Sequence, residues 1–207
     1  MINVLIVEDQ KMIRQLLESH IASSNGYCVA SSVERAEDAI EICRTVTVNL
    51  ILMDIMTNSR MTGLDATRLI KQEYPDTKII IITFLLDGLA LENAHQAGAD
   101  SMWYKDVGQE ELLKVIHRTM DGESVFPDVA PVVNVGYITS DKFTPKEREV
   151  IRYVVKNLSY MEIAKKMGVS VDNIKGHLRN IYQKTGCKDK VDLIYLVTDS
   201  KFINKDL

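Results

Sequence analysis

"KIIIIT", residues 78–83, decides the fold. Four consecutive isoleucines leave no polar face, which is the composition of a strand covered on both sides, as in a parallel sheet with helices on either face. Comparable short runs lie outward in both directions: "LILM" (50–53) and "DSMWY" (100–104) as the nearest neighbours, then "YCVASS" (27–32) and "INVLIV" (2–7). Between the runs, apolar residues recur at helical spacing. Met12, Ile13, Leu16, Leu17 and Ile21 form one such stripe, Ala36, Ala39, Ile40 and Cys43 a second, Leu112, Val115, Ile116 and Met120 a third. Strands alternating with helices make βαβ units. Five of each predict an α/β domain built on a doubly wound, five-stranded parallel sheet.

The pattern stops near Gly122. Residues 122–139 carry Pro127, Pro131 and Gly136 without a sustained period and read as a linker between a domain at 1–121 and another at 140–207. The two parts differ in charge. Residues 1–139 hold 11 Lys/Arg against 20 Asp/Glu, a net −9, whereas residues 140–207 hold 14 against 9, a net +5. The basic end is therefore a candidate for nucleic acid. No apolar stretch approaches the roughly 20 residues of a membrane span. "MINVLIVED" has neither the basic lead nor the apolar length of a signal peptide, so the expected location is cytoplasmic, without membrane association. Cys28, Cys43 and Cys187 follow no metal-ligand spacing and read as reduced thiols.

The basic part has four helical segments with clear starts. "TPKE" (144–147) and "SYME" (159–162) are capping boxes, in which a hydroxyl and a glutamate each satisfy a free amide of the first turn. "MGVS" (167–170) ends one helix at Gly168 and starts the next at Ser170, and Asp189 can cap the last. Two helices joined by a short glycine-containing turn predict a second, smaller all-α helix-turn-helix domain. On "SVDNIKGHLRNIYQKTG" (170–186), Val171, Ile174, Leu178 and Ile181 share one face, and Asp172, Lys175, Gly176, Arg179 and Gln183 the other. A basic helix face is often only a solvated surface. Here Lys175 and Arg179 lie one turn apart, within joint reach of a major groove of double-stranded DNA.

The acidic part places polar groups at its strand ends, where open parallel sheets bind ligands. They are Glu8 and Asp9 after the first strand, Asp54 after the third, Thr83 after the fourth and Lys105 after the fifth. Taken singly, an aspartate there is more often a turn former or helix cap. Taken together they form a chemical set. Clustered carboxylates need a cation between them, and hard oxygen donors suit Mg²⁺. Asp54 can serve as a nucleophile that accepts a phosphoryl group, with Thr83 and Lys105 around the phosphoryl oxygens.

Over nearly its whole length the chain resembles bacterial two-component response regulators of the NarL/FixJ (LuxR-type) family. The resemblance rests on "VED" (7–9), Asp54, "GLDA" (63–66), Thr83, "AGAD" (97–100) and "WYKD" (103–106), then on "TPKEREV", "EIA", "SVDNIKGH" and "KTG". It implies a flavodoxin-like receiver with Asp54 as phosphoacceptor and a sensor histidine kinase as donor. It adds the backbone carbonyl of Met56 to Glu8, Asp9 and Asp54 as Mg²⁺ ligands. In the second domain it assigns Lys175, Gly176 and Arg179 to bases and Asn173, Lys184 and Lys188 to the DNA backbone. His177 is assigned to packing or a phosphate. The last helix resembles one that pairs two such domains, implying a homodimer on operator half-sites roughly 10 bp apart. The chain departs from the receiver pattern at Asn58, at a Gly63 placed one residue late, at Phe84, at Met102 and at Asp106. Two other readings remain: a regulator that binds DNA independently of phosphorylation, and a flavodoxin-like phosphatase. The second lacks a glycine-rich phosphate loop, since "VEDQK" follows the first strand. The chain is therefore expected to be a regulator and not an enzyme.

Overall fold

The structure, a computed structural model, describes residues 1–86, 88–105, 109–128 and 130–203; Asp106 lies outside them. The chain folds into two compact units, one made of residues 1–84 and 91–128, the other drawn from residues 85–90 and from residue 130 onward. In the first, β1 (Ile2–Val7), β2 (Tyr27–Val33), β3 (Leu50–Asp54), β4 (Lys78–Thr83) and β5 (Ser101–Tyr104) form a parallel sheet in the order β2-β1-β3-β4-β5. The helices α1 (Lys11–Ser23), α2 (Ala36–Thr45), α3 (Gly63–Glu73) and α4 (Gly88–Gln96) connect the strands, and α5 (Gln109–Met120) follows the last.

The isoleucine run behaves as its composition dictates. Ile80 and Ile82 point to one face, where Val4, Ile6, Leu50, Leu52 and Trp103 pack with Leu17 and Ile21 of α1 and Leu112 and Ile116 of α5. Ile79 and Ile81 point to the other and are equally buried, as are Leu5, Val7, Ile51 and Met53. Each such side chain contributes about 1.5–3 kcal/mol through burial, which fixes the register, because a one-residue slip would exchange the two faces. The chain steps outward from β1 to β2 and then back past it to β3. The strand order therefore reverses beside β1, and a crevice opens at the carboxyl ends of β1 and β3.

The stretch expected to be a featureless linker carries local order. Val125 forms a parallel bridge with Ser101, and its carbonyl accepts from the Met102 N–H at 2.9 Å. Phe126 stacks on His95 of α4 with ring centroids 3.7 Å apart. Further on, β6 (Asn134–Val135) and β7 (Ile138–Thr139) pair antiparallel. Two-residue strands are too short to display a period of two, so the sequence pattern held no sign of them.

A single 3-10 turn, Ser140–Lys142, leads into α6 (Pro145–Val155), α7 (Tyr160–Met167), α8 (Val171–Thr185) and α9 (Lys190–Asp199). The expected caps are all present. Thr144 with Glu147 and Ser159 with Glu162 complete capping boxes, Ser170 accepts from the Asn173 N–H, and Asp189 accepts from Val191 and Asp192. The core joins Val150, Ile151 and Val154 to Ile163, Ile174, Leu178, Ile181, Leu193 and Val197. Among the described residues no helix is long and apolar enough to cross a membrane, and the three cysteines are free thiols, with Cys43 buried.

The β6–β7 turn rests on the end of α8. Gly136 has φ +65°, and a Cβ there would lie 2.1 Å from the Thr185 carbonyl oxygen. Gly168 has a similar φ of +66° but open space around it. Gly136→Ala should therefore cost about 2–3 kcal/mol, against about 1 kcal/mol for Gly168→Ala, in urea unfolding of the full chain. Equal losses would mean that the close approach at Thr185 adds nothing.

Candidate functional site

The residues picked out at the strand ends converge. Lys105 Nζ lies 2.5 Å from Glu8 Oε2 and 2.8 Å from Asp54 Oδ2, with the three side chains 3%, 0% and 5% exposed. Glu8, Asp9 and Asp54 each bring one carboxylate oxygen to within 4.8 Å of the others. Glu8 Oε1 accepts from the Gln10 N–H at 3.1 Å, so both its oxygens are engaged. Asp9 Oδ1 is buried and has no hydrogen-bond partner among the described residues. Thr83 is buried at the end of β4, opposite Tyr104 in register, and its carbonyl accepts from the Lys105 N–H at 2.8 Å. Met56 sits two residues beyond Asp54, whose carboxylate its backbone N–H supports.

The bland explanation for Glu8 and Asp9 fails: the N-cap of α1 is Gln10, and no side chain caps that helix. Phe84, one of the departures from the receiver pattern, lies beside the site, with Lys105 Nζ 5.2 Å from its ring centroid. Met102 is buried in β5.

Backbone geometry holds the loop after Asp54 close to the site. Gly63, the first residue of α3, donates its N–H to the Ile55 carbonyl at 2.9 Å, and a Cβ on it would sit 1.9 Å from the Asp54 carbonyl oxygen. Only glycine allows that approach. Thr62 and Asp65 form a capping box that fixes the start of α3, a pattern that "TGLD" carries in the sequence. Thr57 Oγ1 accepts from the Ala36 N–H at 3.3 Å and Ser59 bonds Glu37, tying the loop to the start of α2.

The donor set fits a divalent cation. Three carboxylates around one ammonium carry a formal charge of −2, all first donors are oxygens, and one buried oxygen awaits a partner. The electrostatics agree. Burial pushes the Asp54 carboxyl up to about 7 and Glu8 adds to the rise, while Lys105 and the Met56 N–H pull it back.

In the second unit, α8 buries Ile174, Leu178 and Ile181, and Val171 packs half-buried against the same core. Asp172, Asn173, Lys175, Arg179, Gln183 and Lys188 are exposed, and His177 is half-buried. Asn173, Gly176, His177 and Arg179 line one shallow depression, of about 330 Å³. A Cβ on Gly176 would meet nothing within 4 Å. Lys175 Nζ is 3.6 Å from Asp172. Lys184 differs from the other lysines of the set. Its Nζ binds Glu147 Oε2 at 2.6 Å and the Lys142 carbonyl at 3.1 Å. Burial works against the charged form of Glu147, yet Lys184 and Thr144 hold its carboxyl below the usual range.

A raised carboxyl fixes the sign of a pH effect. Between about pH 4 and 7 the folded chain keeps a proton on Asp54 that the unfolded chain has released, so stability falls as pH rises through that window. In urea unfolding with a chelator, Asp54→Asn should flatten this slope and be the more stable protein at about pH 8. Identical slopes for the two proteins would place the strain elsewhere.

Two protein families match the chain: the response regulator receiver domain over residues 4–117 and the luxR family of bacterial regulatory proteins over residues 141–197. The response regulator proteins VraR of Staphylococcus saprophyticus and Staphylococcus aureus are each 26% identical over 198 residues, covering 93% of this chain and 94% of theirs. Among solved structures, RcsB dimers bound to two parallel DNAs superpose with a TM-score of 0.65 at 18% identity, covering 95% of this chain and 98% of that one. RcsB from Salmonella enterica serovar Typhimurium, bound to promoter rprA in the presence of the phosphomimetic BeF3−, gives 0.64 at 19% identity, covering 96% and 98%. These likenesses concern the fold. The receiver match alone spans more than half of the chain, and the chain belongs to the response regulators, with a receiver domain followed by a LuxR-type DNA-binding domain.

Proposed function

We propose that Asp54 accepts a phosphoryl group from a sensor histidine kinase, and that this controls dimerisation and operator binding by the C-terminal helix-turn-helix. The observation that carries the reading is the buried group of Glu8, Asp9, Asp54 and Lys105 with its unpartnered Asp9 oxygen. Glu8, Asp9, Asp54 and the Met56 carbonyl would hold Mg²⁺, which when bound offsets the negative charge of the incoming phosphoryl group and the carboxylates. The chain's own residues do the rest. The Asp54 carboxylate attacks phosphorus while the histidine nitrogen leaves, Lys105 turns its ammonium to the phosphoryl oxygens, and the Thr83 hydroxyl donates to one of them. The product adds about −1.5 to −2 charges at the mouth and draws Thr83 and Lys105 towards it.

On the DNA side, Lys175, Gly176 and Arg179 would approach base edges, with Asn173, His177, Lys184 and Lys188 at the backbone. The RcsB dimers on DNA support two copies acting on paired half-sites. We assign the receiver to residues 1–121, the linker to 122–139 and the DNA-binding domain to 140–207, and take the chain to be a cytoplasmic regulator without enzymatic turnover. Phosphorylation-independent binding is the second reading, favoured by Phe84 beside Lys105 and by buried Met102.

Incubation with acetyl phosphate and Mg²⁺ should add one phosphoryl group to the intact mass of the wild type and none to Asp54→Asn. Operator affinity should rise with that modification. Equal affinity with and without it selects the second reading. Gly176→Ala should stabilise the free protein by about 1 kcal/mol, since Ala is the better helix former, and still weaken operator binding. Unchanged binding would remove Gly176 from the interface.

A further inference from the structure

We propose that Arg14, in the second turn of α1, is a positioning residue for the metal site, setting where Asp9 presents its free oxygen. The inference rests on the reading of Glu8, Asp9 and Asp54 as Mg²⁺ ligands. Among the described residues, Arg14 bonds none of the three carboxylates. Its guanidinium instead grips the main chain that carries two of them. One terminal nitrogen donates to the Glu8 carbonyl at 2.6 Å and approaches the Asp9 carbonyl at 3.5 Å; the other donates to Glu34 Oε1 at 2.7 Å. The side chain is only 13% exposed.

A cap accepts from the first amides of a helix; Arg14 is a donor and holds the turn by its carbonyls instead. The turn from β1 into α1 has no side-chain cap, since Gln10 occupies the cap position without bonding the first helical amides. Ahead of it, the Glu8 N–H donates to the Val33 carbonyl at 3.0 Å, so β2 fixes the entrance to the turn. Arg14 fixes the exit, and through Glu34 it anchors that exit just past the end of β2 as well. A planar fork can span the two anchor points at once, whereas an ammonium is a single point. Asp9 lies between these supports with Oδ1 buried and unpartnered, so its placement is decided by the main chain and not by a bond of its own. Groups that hydrogen-bond a metal ligand typically change affinity 10- to 100-fold when lost, and a grip on the main chain that bears the ligands is expected at the lower end of that range.

Charge alone makes the opposite expectation. A guanidinium near a cation site repels the cation, so its removal would tighten binding. The test measures Mg²⁺ affinity of the full chain by calorimetry, with unfolding in chelator recorded in parallel, for wild type, Arg14→Ala and Arg14→Lys. Positioning requires both variants to bind Mg²⁺ about tenfold more weakly, with Lys failing to rescue despite its charge. Unchanged affinity with a lower unfolding midpoint would reduce Arg14 to a structural tie and overturn the proposal, as would tighter binding by Arg14→Ala with Arg14→Lys like the wild type. If Arg14→Ala does not fold, Arg14→Lys decides alone between weakened and unchanged affinity. A wild type that takes up no Mg²⁺ would overturn the metal reading, and this proposal with it.

Discussion

The ammonium of Lys105 lies between Glu8 and Asp54, and that arrangement constrains the rest of the receiver. Two carboxylates buried to this degree repel each other and lose hydration, at a cost of several kcal/mol per ion unless a cation compensates. One lysine compensates two acids and leaves the third, Asp9, without a partner on one oxygen. The site is thus short of positive charge by construction. Burial, and after it the neighbouring Glu8, raises the carboxyl of Asp54, the group that ends β3 inside the crevice. The pocket's own charges are left incomplete, which is the condition that the proposed divalent cation and phosphoryl group would meet.

The isoleucine strand makes this arrangement possible without contributing an atom of chemistry. With both faces of β3 and β4 sealed by apolar side chains, these two strands bear charge at their ends. The register then aligns those ends. Asp54 lies opposite Ile82, and Thr83 opposite Tyr104, so Lys105 emerges one residue beyond Thr83. The Lys105 N–H on the Thr83 carbonyl extends the ladder by one bond, tying the lysine's backbone to the hydroxyl-bearing residue. Asp54 is reinforced from the other side by the absent side chain of Gly63.

Much of this was legible in the sequence, because the signals that carry it are local. Uninterrupted apolar runs mark buried strands, and the four expected helix starts of the second unit each depend on a side chain bonding an amide two or three residues away. What stayed hidden depends on distant partners or on elements too short to have a period. Arg14 bonds to carbonyls, which every residue possesses, so no pattern of residue types announces it. The β6–β7 pair consists of four residues. The Thr62–Asp65 box is local as well, and "TGLD" carries its signature.

Lys184 is the instructive case in the basic unit, because it joins residues far apart in the sequence and was read only as a DNA contact. Glu147 is nearly fully buried, serves its own helix cap, and needs a cation to remain charged there. Lys184 supplies it, fastening the C-terminal half of α8 to the start of α6. An ammonium has three protons. Two are directed at Glu147 and the Lys142 carbonyl, and the side chain stays 31% exposed. The remaining proton can face a phosphate without leaving Glu147 stranded. Structural tie and backbone contact are therefore compatible in one side chain, with a consequence for interpretation. Removing Lys184 would both weaken any phosphate contact and uncover a buried carboxylate. A loss of DNA binding on its removal therefore says less about the interface than the same loss at Lys175 or Arg179, which have no comparable partner in the core of their own unit among the described residues.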